Sequence, residues 1–369
     1  MAGPRARGQT RAPVRDLGCR RARLSAHRLS PDRQLPDRDV GKPSAPRSRS
    51  VKLIRDALAA RRARDALSRD LTAAFGSNAP HSLTLIKDGP QALVAGATWQ
   101  GESVILKQFH TPDPVGFMAE MAAEHDRLRA LFPHGALRAG LMRAHSAPHA
   151  IAVLDKAPGE RLDAVLDHAD ADRRAALIAQ AGAWLGRALG DGRDTGTFFP
   201  RFWVDRLEAE ITAAPLPAPE RDLILRAHRG LRRLGRALRH GPIPRGPIHA
   251  DFAPHNIFHD TETGTLWVFD IQKTTHMPLG LDIARLLVGL SVQMQRQHPE
   301  CTLHAGVLAS DRRAMLAAKG LEHPAEALPF VDFFLGHRLI KALLDKHAHP
   351  DAPIFRRAVE NWLKETPCP

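Results

Sequence analysis

The sequence predicts an α+β fold with a small β-rich N-terminal lobe and a larger, mainly helical C-terminal lobe. Three observations predict it. Strand-like apolar runs at Ser82–Ile86, Ala92–Trp99 and Ser103–Phe109 are separated by D-G-P and Q-G turn signals. Beyond residue 160, apolar residues recur mostly at helical spacing. Within that helical region, Pro247–Asp270 breaks into two short apolar runs around a polar, Gly-ended turn. At 369 residues the chain has room for two lobes with their own cores.

In order, residues 1–50 read as a leader that cannot fold alone. They are rich in Arg, Pro and Ser and have no apolar period, so they bury too little to offset the entropy of ordering. They hold thirteen Lys and Arg against four Asp, which leaves only +4 of the net +13 to the other 319 residues. A nucleic-acid arm and an organelle transit peptide are the functional alternatives; an inert tail or a misplaced start, with Val51 as the true beginning, is preferred. Residues 51–154 form the N-terminal lobe. Lys52–Phe75 has apolar residues at helical spacing, and Gln100-Gly101 suits a hairpin turn. Gly116–Leu131 reads as a helix carrying Glu120 and Glu124 on one face. Residues 155–369 form the C-terminal lobe, with helices at Ala171–Leu189, Phe202–Ala213, Ala218–His240, Leu281–Val292, Leu328–Lys346 and Ile354–Glu365. The Arg row of Ala218–His240 is read as a solvated face, because no aromatic residues interleave with it.

Composition removes several classes. No apolar run reaches the length of a membrane helix. The three Cys are scattered and lack a CxxC pair, which points away from a disulfide framework or zinc and toward a reducing cytoplasm.

The chemistry concentrates in one segment: P-I-H-A-D-F-A-P-H-N-I-F-H-D-T-E-T-G-T-L-W-V-F-D-I-Q, followed by L-G-L-D-I-A-R. Strands at Asn256–His259 and Leu266–Asp270 would make a hairpin whose outer ends meet, bringing Asn256 beside Asp270. Asp251 stands on the loop before the first strand. Mg²⁺ takes one or two carboxylates plus phosphate oxygens, so Asn256 and Asp270 suit it. A carboxylate off the metal, Asp251, can accept the proton of an attacking hydroxyl.

On His249-x-Asp251-x-x-x-x-Asn256, Asp270 and Asp282, the chain resembles the aminoglycoside phosphotransferase and choline kinase branch of the protein-kinase-like superfamily. The family often has Gly where this chain has Ala250. The resemblance implies a two-lobed kinase-like fold, ATP and Mg²⁺ as cofactors, and transfer of the γ-phosphoryl group to a small-molecule hydroxyl. It implies that Asp251 is the base, that His249 fixes its loop, and that Asn256 and Asp270 hold the metal. It makes Lys107, in V-I-L-K-Q-F, the phosphate-binding lysine, with Glu124 as its partner and Glu120 in reserve. Asp282 would brace the catalytic loop, and backbone around Leu154–Lys156 would meet the adenine. The phosphate loop is sparse, with one Gly in K-D-G-P-Q-A. Only eleven residues separate Asp270 from Asp282, little room for a peptide platform, which favours a small acceptor. A pseudokinase is the main alternative; a nucleic-acid binder and a protein kinase follow. The acceptor itself is not legible, and Asp191, Asp194, Asp205 and Glu208 are candidates for lining a pocket for a cationic one. Oligomeric state is not legible either.

Overall fold

The computed structural model describes residues 47–272, 275–321 and 328–366. The chain divides into two units, Met1–Lys52 and Leu53–Pro369. The leader read at 1–50 lies outside the described residues up to position 46; residues 47–50 open the first helix.

Helix α1 (Arg47–Phe75) leads into strands β1 (His81–Asp88), β2 (Ala92–Trp99) and β3 (Glu102–Phe109). The β2–β3 loop is Gln100-Gly101, with φ of +52° and +84°. Two positive φ values make the tight turn that suits the twist of antiparallel strands. Helix α2 (Pro114–Leu131) follows, then β4 (Leu137–Ala139), β5 (Met142–Ser146) and β6 (Ile151–Asp155). Five strands make one antiparallel sheet in the order β1-β2-β3-β6-β5.

Alternation decides what covers each face of this sheet. Leu93, Ala95 and Ala97 of β2 and Val104 and Leu106 of β3 pack with Leu67 and Leu71 of α1. On β6, Ile151 and Val153 join that cluster, while Ala152 and Leu154 join Met118 and Met121 of α2. β6 is buried on both faces, as its unbroken apolar run requires. The same parity puts Lys107, next to Leu106, on the α2 face.

The C-terminal part opens with β7 (Glu160–Arg161), α3 (Leu162–Asp167), α4 (Ala171–Leu189), β8 (Asp194–Thr197), α5 (Arg201–Ala213) and α6 (Ala218–Ala237). Then come β9 (Pro242–Ile248), β10 (Ile257–Asp260), β11 (Thr265–Val268), β12 (Thr275–Pro278) and α7 (Gly280–Gln297). β13 (Leu303–His304), β14 (Val307–Leu308), α8 (Ala309–Leu316), α9 (Leu328–Lys346) and α10 (Ala352–Glu365) complete it. Helices α4, α6, α7, α9 and α10 share one large core with Trp184, Phe333, Phe334 and Trp362. The outer face of α6 is exposed Arg, as read from sequence.

Two sheets frame the segment Pro247–Asp270. One runs β4-β11-β10-β7, the other β12-β9-β8. Gly159 makes the crossing into β7 possible. Its φ is +73°, and a Cβ there would lie 2.3 Å from the His259 carbonyl oxygen. β7 then pairs with β10, so the chain leaving the N-terminal sheet docks directly on the β10–β11 hairpin.

Candidate active site

The hairpin forms with strands shifted by one or two residues from expectation. β10 pairs with β11 from Ile257↔Val268 to Asp260↔Thr265. One further rung, Phe269 N–H to Asn256 O at 2.8 Å, closes its open end. Asn256 ends a 3-10 turn, Pro254–Asn256, and Asp270 stands beyond its strand with φ of +65°. A non-glycine residue held there is strained backbone, which collects at functional sites.

Asp270 meets Lys107: Nζ lies 2.6 Å from Oδ1 in a half-buried ion pair. Burial alone would raise the Asp270 carboxyl, but the charge and hydrogen bond of Lys107 outweigh it and hold the group below its ordinary pKa. The expected Lys107–Glu124 pair needs correction. Among the described residues Lys107 forms its ion pair with Asp270 and none with Glu124. Arg127, one turn along α2, grips both Glu124 oxygens at 2.8 and 2.7 Å and donates to Ala188 O at 2.7 Å. Glu124 is buried, and a guanidinium fork on its own helix matches a carboxylate better than a lysine across the sheet.

The loop from His249 to Asn256 is held by a set of hydrogen bonds. The His249 N–H donates to Asp282 Oδ2 at 2.6 Å. The Asp251 N–H donates to His249 Nδ1 at 3.3 Å, which leaves Nε2–H to donate to Phe269 O at 2.9 Å. Asp282 is fully buried, and desolvation raises its pKa against the pull of the loop amides. The Asp251 carbonyl accepts from Ala253 N–H at 2.8 Å and from Asn256 Nδ2 at 2.9 Å. That bond fixes the Asn256 amide and leaves its Oδ1 for a cation. Below, Trp184 of α4 stacks on Phe252 at 5.7 Å between centroids and meets the His249 ring edge-on at 6.2 Å.

Ala250 has φ of +66°. This left-handed backbone is why a glycine suits the position.

Some participants had no role in the sequence reading. Arg285 Nε lies 2.6 Å from Asp251 Oδ1, a charge contact without hydrogen-bond alignment, and its Nη1 donates to Ala250 O at 3.1 Å. Its place three residues after Asp282, on the same face of α7, was readable. His125 of α2 was not. Its Nδ1 accepts from Met142 N–H at 2.9 Å, so Nε2–H donates to Ile271 O at 3.1 Å, tying α2 to the residue after Asp270.

Two cavities flank these residues. One, of about 420 Å³, is lined by Gly89, Pro90, Gln91, Lys107, Asp270 and Gln272, so the sparse β1–β2 loop does face the lysine. The other, of about 540 Å³, has Pro254 and His255 of the His249–Asn256 loop in its wall, with Asp163 and Asp167 of α3 and Arg338 of α9. Asp191, Asp194, Asp205 and Glu208 line neither. Asp194, Asp205 and Glu208 are paired with Arg245, Arg201 and Arg232.

Among the described residues no group of three His, Cys, Asp or Glu could hold a metal unaided. Asn256 and Asp270 offer one amide oxygen and one carboxylate. That set fits Mg²⁺, which completes its shell with phosphate oxygens and water.

A five-stranded sheet covering a helical body, with the Lys/Asp/Asn set between, defines a protein-kinase-like fold. The model of the phosphotransferase enzyme family (APH) matches residues 93–330, and the chain belongs to that family. Among solved structures, the chain is similar to the aminoglycoside phosphotransferase APH(4)-Ia, at 14% identity over 82% of this chain and 99% of that one, with a TM-score of 0.53. A thermostable mutant of that protein, in ternary complex with AMP-PNP and hygromycin B, matches at 15% identity over 80% and 97%, TM-score 0.51. Spectinomycin phosphotransferase APH(9)-Ia, in complex with ADP and spectinomycin, matches at 10% identity over 82% and 97%, TM-score 0.52. No curated protein sequence matches the chain. At these identities the likeness is one of fold.

Proposed function

We propose that this chain transfers the γ-phosphoryl group of ATP to a hydroxyl of a small molecule. The observation that carries the proposal is the joint placement of Lys107 on Asp270 and of Asp251 and Asn256 on one pinned loop. Family membership and the nucleotides bound by the similar structures support it.

Lys107 would hold the nucleotide phosphates in the cavity under the β1–β2 loop. Asn256 and Asp270 would bind Mg²⁺, which when bound neutralises charge on the phosphates. Asp251 would orient the acceptor hydroxyl and take its proton as the new O–P bond forms and the bond to the ADP oxygen breaks. Arg285 and His249 are positioning groups, one on the Asp251 carboxylate and the other on its backbone. Positioning and charge stabilisation carry most of such a reaction. The backbone after Leu154 would meet the adenine, and we place the boundary between lobes at residues 154 and 155. The acceptor would enter the cavity walled by His255 and Arg338. We assign the protein to the cytoplasm; among the described residues no helix is long and apolar enough to cross a membrane.

One feature favours a pseudokinase instead: the phosphate loop has a single glycine, Gly89. Calorimetric titration with AMP-PNP and Mg²⁺ addresses nucleotide binding first. Binding by the parent chain, weakened at least 10-fold in Lys107→Ala and Asp270→Asn, is expected. Equal binding by all three would remove the roles given to these residues.

A further inference from the structure

Resting on the phosphotransferase proposal, we infer that the acceptor is anionic: a hydroxylated small molecule bearing a carboxylate or phosphate that docks on Arg338. Arg338 lines the 540 Å³ cavity together with His255 of the catalytic loop. Its Nε is buried and has no hydrogen-bond partner, and among the described residues no carboxylate forms an ion pair with it. Burial and then the nearby charge of Arg285 lower its pKa, and the fields of Asp345 and Asp251 oppose this. Arg338 therefore stands within electrostatic reach of the proposed base.

The carboxylates of the same cavity are already engaged. Asp163 is held by Arg161, and Asp345 by Lys341 at 2.8 Å. Asp167 accepts from the Gln297 amide at 2.8 Å. A second cation, Lys346, lies over the Phe355 ring at 5.6 Å and makes no ion pair among the described residues. A polycationic acceptor would meet two cations without an ion pair, and of the three carboxylates only Asp167, held by neutral amides, lacks a cationic partner among the described residues. An anionic acceptor would supply what this partly buried guanidinium lacks, a pair of oxygens for its fork. Leaving the buried Nε–H unpaired is costly, so a ligand that pairs it gains specificity as well as affinity.

The test uses the full chain with Mg-ATP and three acceptor classes. Glycerate and glucose 6-phosphate are anionic, glucose and glycerol neutral, kanamycin and choline cationic. Transfer to the anionic class is expected. Arg338→Gln should lower kcat/KM for that class about 100-fold, as loss of a charged hydrogen bond does. KM for ATP should not move, and Arg338→Lys should keep part of the activity. Glycerate and glucose 6-phosphate separate carboxylate from phosphate recognition. Preferred transfer to neutral or cationic acceptors, or an equal loss for all classes, would overturn the inference. If no acceptor turns over, millimolar glycerate or glucose 6-phosphate should still raise the unfolding midpoint of the parent and not of Arg338→Gln. Failure of both to do so also overturns it. Mg-ATP binding in the same samples separates the two claims. Intact binding without an anion response removes only the role of Arg338; lost binding removes the phosphotransferase proposal.

Discussion

Ala250 and Gly159 are a test pair for backbone conformation, because both adopt positive φ but only one is glycine. An L-residue in the left-handed region costs about 1–2 kcal/mol, and glycine gives back about 0.4–1 kcal/mol through the unfolded chain. Ala250→Gly should therefore raise stability by about 0.5 kcal/mol in urea unfolding. Gly159→Ala should lower it by about 3 kcal/mol, since a new Cβ there also collides with the His259 backbone. His125 makes a pH prediction. Burial lowers its pKa from 6.5 to about 4, so the folded protein holds it neutral. Protonating Nδ1 would also break the Met142 N–H bond. The folded pKa lies below the unfolded one, so this stability is complete above pH 6.5 and is lost as pH falls toward 4. The loss is about 3 kcal/mol. His337 is shifted to about 4 by burial as well, so His125→Gln should remove only part of the slope of unfolding free energy between pH 4 and 6.5. An unchanged slope would show that His125 is not the buried neutral group described.

Among the elements, the β10–β11 hairpin was the most legible, because its turn signal is local. A polar turn fixes the register, and the register fixes where Asn256 and Asp270 end. Helices α4 and α9 were readable to their ends, since one buried face sets the 3.6-residue period. β9 was not. Its Pro242, Pro244 and Pro247 argue against a paired strand, yet it lies between β8 and β12. Very short strands such as β4 and β7 carry too few residues to show a period and exist because neighbours in space complete them. The pairing of Lys107 with Asp270, and of Glu124 with Arg127, depends on such distances too. Sequence spacing could name the residues but not choose among carboxylates. The brace from α7 to the loop gives a prediction at this scale. Asp282→Ala should remove the acceptor for the His249 amide and cost about 1–3 kcal/mol of stability. It should lower kcat while nearly sparing KM for ATP, because the cavity proposed for the nucleotide does not include Asp282. An equal rise in KM would mean that the brace serves nucleotide binding instead.

At the scale of the whole molecule, the mixed α+β architecture follows from changes of period along the chain: strand-like runs between residues 82 and 109, and mostly helical spacing beyond residue 160. What the sequence could not show is how the parts converge. Gly159 lets the chain cross from the N-terminal sheet onto the hairpin, and His125 and Arg127 tie α2 to Ile271 and Ala188. With the Lys107–Asp270 pair, these contacts join the small sheet and α2 to the end of the hairpin. Arg338 comes from α9, far along the chain, and no local pattern pointed to it. The central claim is phosphoryl transfer with Asp251 as base. The most direct measurement is transfer from labelled Mg-ATP to pooled small hydroxy compounds, run on the full chain beside Asp251→Asn. Labelled product is expected from the parent chain, with a loss of at least about 100-fold in the variant and Mg-ATP still bound by both. Equal transfer by Asp251→Asn, or Mg-ATP bound by neither, would contradict that claim.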